Sequence, residues 1–305
     1  MTYKPIISGS SISRDYGYTA GGHVNVNEKY DDIANTWTAK AALNTLRYMI
    51  AGFSLNSYGY TAGGYGGTAI TEKYDDIANI WTTKANLNTA RYWLSGFSLN
   101  GYGYTAGGTA VTISSATEKY DDIGNTWTAK ANLNTAKSGL SGFSLNSYGY
   151  TAGGYGVTAI TEKYDDIANI WTTKANLNTA RATLVGFSLN SYGYTAGGSI
   201  NSNSTVVTEK YDDIANTWTT KANLNTASTA SAGFSLNGYG YIADGGGGGV
   251  TTEKYDDIAN IWVAKANLST ARFAMAGFSL GAIQTGIQNP EIIPIYKVLS
   301  KRVGR

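Results

Sequence analysis

Four short segments of one stretch decide the reading: Ile-Ala-Gly-Phe-Ser-Leu-Asn at 50–56, Tyr-Gly-Tyr-Thr-Ala-Gly-Gly at 58–64, Ile-Thr-Glu-Lys-Tyr-Asp at 70–75 and Ile-Trp-Thr-Thr-Lys at 80–84. Each alternates large with small or polar residues at a period of two, the pattern of a strand with two unlike faces. Between them stand Asn-Ser, a glycine-rich link and Asp-Ile-Ala-Asn, all built from residues that turns favour. Four antiparallel strands in so short a stretch amount to one blade of a β-propeller.

The stretch recurs along the chain. Trp37, Trp81, Trp127, Trp171, Trp218 and Trp262 are separated by 44, 46, 44, 47 and 44 residues, and each follows a tyrosine by seven: Tyr30, Tyr74, Tyr120, Tyr164, Tyr211 and Tyr255. A fixed period of this size marks a repeat architecture, so the 305 residues are expected to form one all-β ring of six blades. The Gly-Gly pair, the tyrosine 8 to 13 residues later and the tryptophan beyond it resemble the Kelch repeat from about Tyr16 to Leu280. One unit departs from the motif, reading Asp244-Gly245 where the others carry Gly-Gly, which predicts a bulged or loosened strand end.

Counting strands predicts how the ring closes. Gly-Phe-Ser-Leu begins at Gly52, Gly96, Gly142, Gly186, Gly233 and Gly277, one strand out of phase with the Gly-Gly, Tyr, Trp units. The last such strand, Phe273 to Leu280, has no unit after it, and the unit from Tyr16 to Lys40 has none before it. Joining them makes the C-terminal strand the innermost member of the first blade and removes two open edges. The rival is Ile6 to Ser13 as a degenerate first strand. The organisation expected is an N-terminal extension at 1–15, a propeller at 16–280 and a tail at 281–305.

The repeated tyrosines and tryptophans are expected in the core, where rings of one blade fill space left by glycine, serine and alanine of the next. The acidic pairs Asp31-Asp32, Asp75-Asp76, Asp121-Asp122, Asp165-Asp166, Asp212-Asp213 and Asp256-Asp257 invite a catalytic or metal reading. Their place before Ile-Ala-Asn or Ile-Gly-Asn assigns them to turns instead, and sixfold identity argues against the asymmetry that acid–base catalysis requires. With no cysteine and a lone histidine, His23, expected in a surface loop, neither a metal centre nor a Ser-His-Asp triad has its parts. No cofactor, no metal and no catalytic residue is assigned. A net charge of +2 with 14% charged residues gives no field for nucleic acid. No apolar run is long enough to span a bilayer, and the apolar stretch at the start is too short for a secretory h-region, so a soluble chain without a cleaved signal is expected.

Differences between repeats gather in two connections: from second to third strand, and from fourth strand into the next blade. Strand reversal brings both to one face, the division of constant scaffold and variable loops that binding proteins use. Tyr48, Tyr92, Trp93 and Phe273 with Arg47, Arg91, Arg181 and Arg272 are the candidate contact set for a protein or glycan. The tail combines Ile292, Ile293, Ile295 and Tyr296 with Lys297, Lys301, Arg302 and Arg305, a candidate docking segment for a neighbouring subunit.

The near-identical units also resemble repeat proteins of tailed bacteriophages. That resemblance implies a non-enzymatic, structural and adhesive virion component (fibre, tail or head decoration), located on the virion or cell exterior. The alternatives are a free bacterial Kelch lectin or scaffold, cytoplasmic if no virion holds it, and an isomerase or lyase working in the central channel. Kelch propellers also include copper-radical oxidases, whose cysteine-linked tyrosine and paired histidines have no counterpart here.

Overall fold

A computed structural model describes residues 15–155, 159–243, 246 and 249–281. Six four-stranded antiparallel sheets surround a common axis. The second blade consists of Ala51–Leu55, Tyr58–Ala62, Thr71–Asp75 and Ile80–Lys84 from the axis outward, within one residue or two of the segments read from the sequence. A further two-stranded ribbon, Ser199–Ile200 with Asn203–Ser204, was not anticipated and occupies the longest of the variable links.

The first blade runs Ala276–Leu280, Tyr16–Ala20, Asn27–Asp31 and Thr36–Lys40. Tyr16 pairs with Leu280 and Ala20 with Ala276, so the C-terminal strand closes the ring. Ile6 to Ser13 lies outside the described residues, but the inner place that the rival reading gave it is taken. Inner strands run from one face, called upper here, to the lower face. Asp15 and Gly281 therefore sit side by side on the lower face, as do the Asp-Asp turns.

Glycine decides how closely the blades approach. A Cβ at Gly96 would stand 2.5 Å from the Gly52 carbonyl oxygen, and one at Gly142 2.8 Å from that of Gly96. In the second strand, a Cβ at Gly59 would overlap the Phe278 ring of the preceding blade. That ring stacks on Tyr18 at 5.3 Å and meets Trp81 edge-on at 6.4 Å, an arrangement copied around the core. The expected filling of glycine gaps by neighbouring rings is what the interfaces contain. Each of the six repeated tryptophans also donates its indole N–H across an interface, as Trp127 does to Thr71 Oγ1 and the Ala85 carbonyl, both at 3.1 Å.

The acidic pairs divide their work. Asp75 Oδ1 accepts from the amides of Ile77 and Ala78 at 2.9 and 3.0 Å, and Asn79 completes the turn at φ 54°. Asp76 does not belong to that turn network: it binds Lys29 at 2.6 Å and Lys40 at 3.0 Å on the preceding blade. The sequence reading assigned both members to turns; the second is an inter-blade bridge.

Candidate binding face and central channel

The upper face is organised by a register that repeats from the second blade to the fifth. The residue after Gly-Gly lies beside the residue after the buried cation of the preceding connection. Tyr65 donates its amide to the Tyr48 carbonyl at 2.9 Å, Tyr92 and Thr109 exchange two backbone bonds, and Ala182 and Ser199 do the same. Side chains at these positions thus form a single file around the channel mouth.

For five consecutive places that file consists of rings. Phe273 and His23 lie 4.1 Å apart between centroids, His23 and Tyr48 3.8 Å, Tyr48 and Tyr65 5.0 Å, and Tyr65 and Tyr92 5.4 Å. Tyr65 is 53% exposed, His23 is exposed, and Tyr48, Tyr92 and Phe273 are half-buried. Beyond Tyr92 the file continues mostly with small or hydroxylic residues, broken by one isolated ring at Tyr155, 44% exposed: Thr109 bonds Ser138 at 2.7 Å, and Tyr155 pairs with Ser138 through the backbone. The sequence reading found Tyr48, Tyr92 and Phe273, and the structure brings them together. It missed Tyr65 and His23, although each directly follows a Gly-Gly pair.

The four arginines belong to a different part of the molecule. Arg47, Arg91, Arg181 and Arg272 are at most 2% exposed, and each faces a buried glutamate: Glu72 at 3.5 Å, Glu118 at 2.9 Å, Glu209 at 3.1 Å and Glu28 at 2.7 Å. Arg181 also donates to the carbonyls of Gly197 and Val207 and to Thr195 Oγ1. These bonds tie the incoming connection to the ends of the second and third strands. Arginine therefore serves the scaffold here, which removes it from the contact set. Burial lowers the arginine pKa values, and the glutamates oppose that shift. In the fourth blade Lys137 takes the same place 3.3 Å from Glu162, where burial outweighs the glutamate and pushes its ammonium down to about 8.

Trp93, the remaining predicted contact residue, is one of six residues that ring the channel mouth with positive φ: Met49, Trp93, Gly139, Thr183, Ala230 and Ala274. Each donates its amide to the carbonyl of its counterpart in the preceding blade, at 2.6–2.9 Å, and Met49 closes the circle on Ala274. Below lies a second circle of six serines, in which Ser54 donates to the Ser279 carbonyl at 2.6 Å and the other five follow suit. Inside the upper mouth is a cavity of about 130 Å³, and toward the lower mouth one of about 400 Å³. Their walls are glycine, serine, alanine and apolar side chains, with Thr183 the only other polar one. No cluster of three His, Asp or Glu side chains fit to hold a metal occurs among the described residues.

No family model matches the chain, and no curated protein matches it. Among solved structures the chain is similar to one titled "Structure of YjhT", with a TM-score of 0.70 and 13% identity over 86% of this chain and 100% of that one. At that identity the likeness is one of architecture: the chain shares the six-bladed propeller fold.

Proposed function

We propose that this protein is a Kelch-type binding propeller without enzymatic activity, carried on a tailed-bacteriophage particle and attaching it to a surface through the upper face. The observation that carries this reading is the file of rings from Phe273 to Tyr92. The same backbone register is made with no ring at all by Ala182 and Ser199 in the fifth blade, and with a ring on one side only by Thr109 opposite Tyr92 and Ser138 opposite Tyr155, so the fold does not require aromatic side chains there. Exposed rings without a structural task are the usual anchors of a recognition surface.

The opposite face suits attachment to a neighbouring subunit. Both ends of the described chain leave from it, carrying the tail at 282–305, which lies outside the described residues. It also presents Ile33, Ile77, Ile123, Ile167, Ile214 and Ile258, 63–95% exposed at the turn tips. The uncharged channel walls favour this reading over an isomerase or lyase, which needs a positioned acid or base.

The test is to isolate particles from cultures of the source and search them for the chain by mass spectrometry. It is expected in particles when intact and absent from them when truncated after Gly281. Truncated chain incorporated at the normal level would remove the tail from the attachment role, and intact chain found only in the cytosol would overturn the virion reading.

A further inference from the structure

We infer that the ligand of the upper face is an uncharged saccharide, an inference that rests on the binding role proposed for that face. Charge is the first ground. The connections forming this face contain five cations among the described residues: Arg47, Arg91, Lys137, Arg181 and Arg272. All are at most 2% exposed, and all are matched by buried glutamates within 3.5 Å. The side chains left at the surface are rings, hydroxyls, amides and short apolar groups. A phosphate, sulfate or carboxylate brought here would lose water without gaining a Lys or Arg partner, which disfavours acidic glycans and nucleic acid alike.

The shape of the polar and apolar surface is the second ground. Tyr48, Tyr65 and Tyr92 combine a flat apolar ring with a hydroxyl, and their neighbours in the file are Thr109 and Ser138. A pyranose has the matching character, with C–H faces to lie on rings and equatorial hydroxyls to exchange hydrogen bonds at the edge. The file is one ring wide and follows an arc over three blades, which fits a linear or branched chain of sugars. A protein partner would more often be met by an apolar patch rimmed with charged side chains, and among the described residues the connections of this face expose no Lys, Arg, Asp or Glu.

The internal repeats supply a variant that keeps the backbone register. Tyr48→Ser with Tyr65→Thr installs residues that the chain already carries at related places, Ser138 and Thr109, so folding is not at risk on steric grounds. The probes are chitotetraose, maltotetraose and lacto-N-tetraose as neutral saccharides, with sialyllactose and a heparin tetrasaccharide as acidic ones. Binding to the full chain is read by calorimetry, and attachment by beads coated with the chain on a panel of bacterial cells. We expect at least one neutral probe to bind, with little change between low and high salt. The variant should bind it roughly tenfold or more weakly, as loss of stacked aromatic anchors implies, at an unchanged melting temperature. Salt-sensitive binding of the acidic probes alone would overturn the uncharged class and leave the binding face standing. Cell attachment lost in the variant, with no saccharide bound, would overturn the saccharide and point to a protein receptor. Attachment or saccharide binding undiminished in the well-folded variant would overturn the face itself.

Discussion

Arg181 offers the sharpest test of the scaffold. Its guanidinium, fully buried, holds the Glu209 carboxylate at 3.1 Å, Thr195 Oγ1 at 2.8 Å and the carbonyls of Gly197 and Val207 at 2.6 and 2.9 Å. Arg181→Ser leaves Glu209 with the amides of Asn178 and Thr179 but no cation, takes their donor from Thr195 Oγ1 and the Gly197 carbonyl, and leaves the Val207 carbonyl with the Gly197 amide. Breaking a buried pair from one side costs about 3–5 kcal/mol. For a domain of this size each kcal/mol moves Tm by about 2–4 °C, so the fall should lie at about 6–20 °C.

The sixth blade shows how that loss is partly offset. It carries Ser228 in the arginine's place and Ile242 in the threonine's, both at 2% exposure, while Glu253 is held by the amides of Asn225 and Thr226 and by the Asn225 side chain. Isoleucine fills volume vacated by the guanidinium and removes a hydroxyl that would have no donor. Arg181→Ser with Thr195→Ile copies this solution into the fifth blade. Thr195→Ile alone costs about 1–3 kcal/mol by overpacking against the arginine, whereas the double variant should recover about 1–3 kcal/mol relative to the sum. Urea unfolding of the four proteins measures the cycle. Strict additivity would show that the pairing of Ser228 with Ile242 is incidental and that the arginine's partners do not act as a unit.

Three further outcomes follow from the same contacts. Gly96→Ala should lower stability by about 1–3 kcal/mol in urea because its methyl meets the Gly52 carbonyl, whereas Gly124→Ala should raise it by about 0.4–1 kcal/mol, since the other five turns carry alanine there. Stability against pH should be flat from about pH 5 to about pH 8, gain a little above that as Lys137, held down to about 8 by burial, loses its proton in the folded chain first, and fall on acidification and above about pH 10. Burial raises the carboxyl of Asp122, but hydrogen bonds from Lys73 and Tyr60 and the charges of Lys73 and Lys84 hold it below its usual range, so its contribution is lost on acidification through the lowered value. Burial foremost raises the phenols of Tyr60, Tyr120 and ten equivalents, so their contribution is lost above about pH 10; ionisation of all tyrosines before unfolding, read by ultraviolet absorbance, would contradict it. Deletion from Ala276 onward should lower Tm sharply by opening the first blade, while truncation after Gly281 leaves it unchanged; an unaltered Tm in the first would refute closure by this strand.

Strand limits and ring closure were legible because they depend on period and count, which a repeated sequence states six times over. The arginines misled because the residue beside each, such as Tyr48 or Phe273, is partly exposed, and because lysine at 137 and serine at 228 gave the position the look of a variable surface. The contrary signal was the glutamate of Glu-Lys-Tyr-Asp, present in all six units on the inward side of a strand; a buried acid repeated in this way calls for a cation. Tyr65 and His23 were missed for want of register: sequence placed the two variable connections on one face, but only the paired backbone shows that their first residues adjoin. Asp76 looked like its neighbour Asp75 because alternation sends one to its own turn and the other to the preceding blade, a difference that composition cannot express.

The two faces of the ring solve opposite problems with the same kinds of residue. On the lower face every blade repeats one ionic joint, an aspartate set between two lysines of the blade before it, and six equal joints demand six equal sequences. On the upper face the ionic partners lie beneath the surface, and the residues above them meet through backbone bonds that any side chain permits. Sequence is therefore free to differ between blades only where differing costs the ring nothing. That is where the five rings stand, and burying the cations below them is what leaves this surface variable and, among its described residues, without an exposed Lys or Arg.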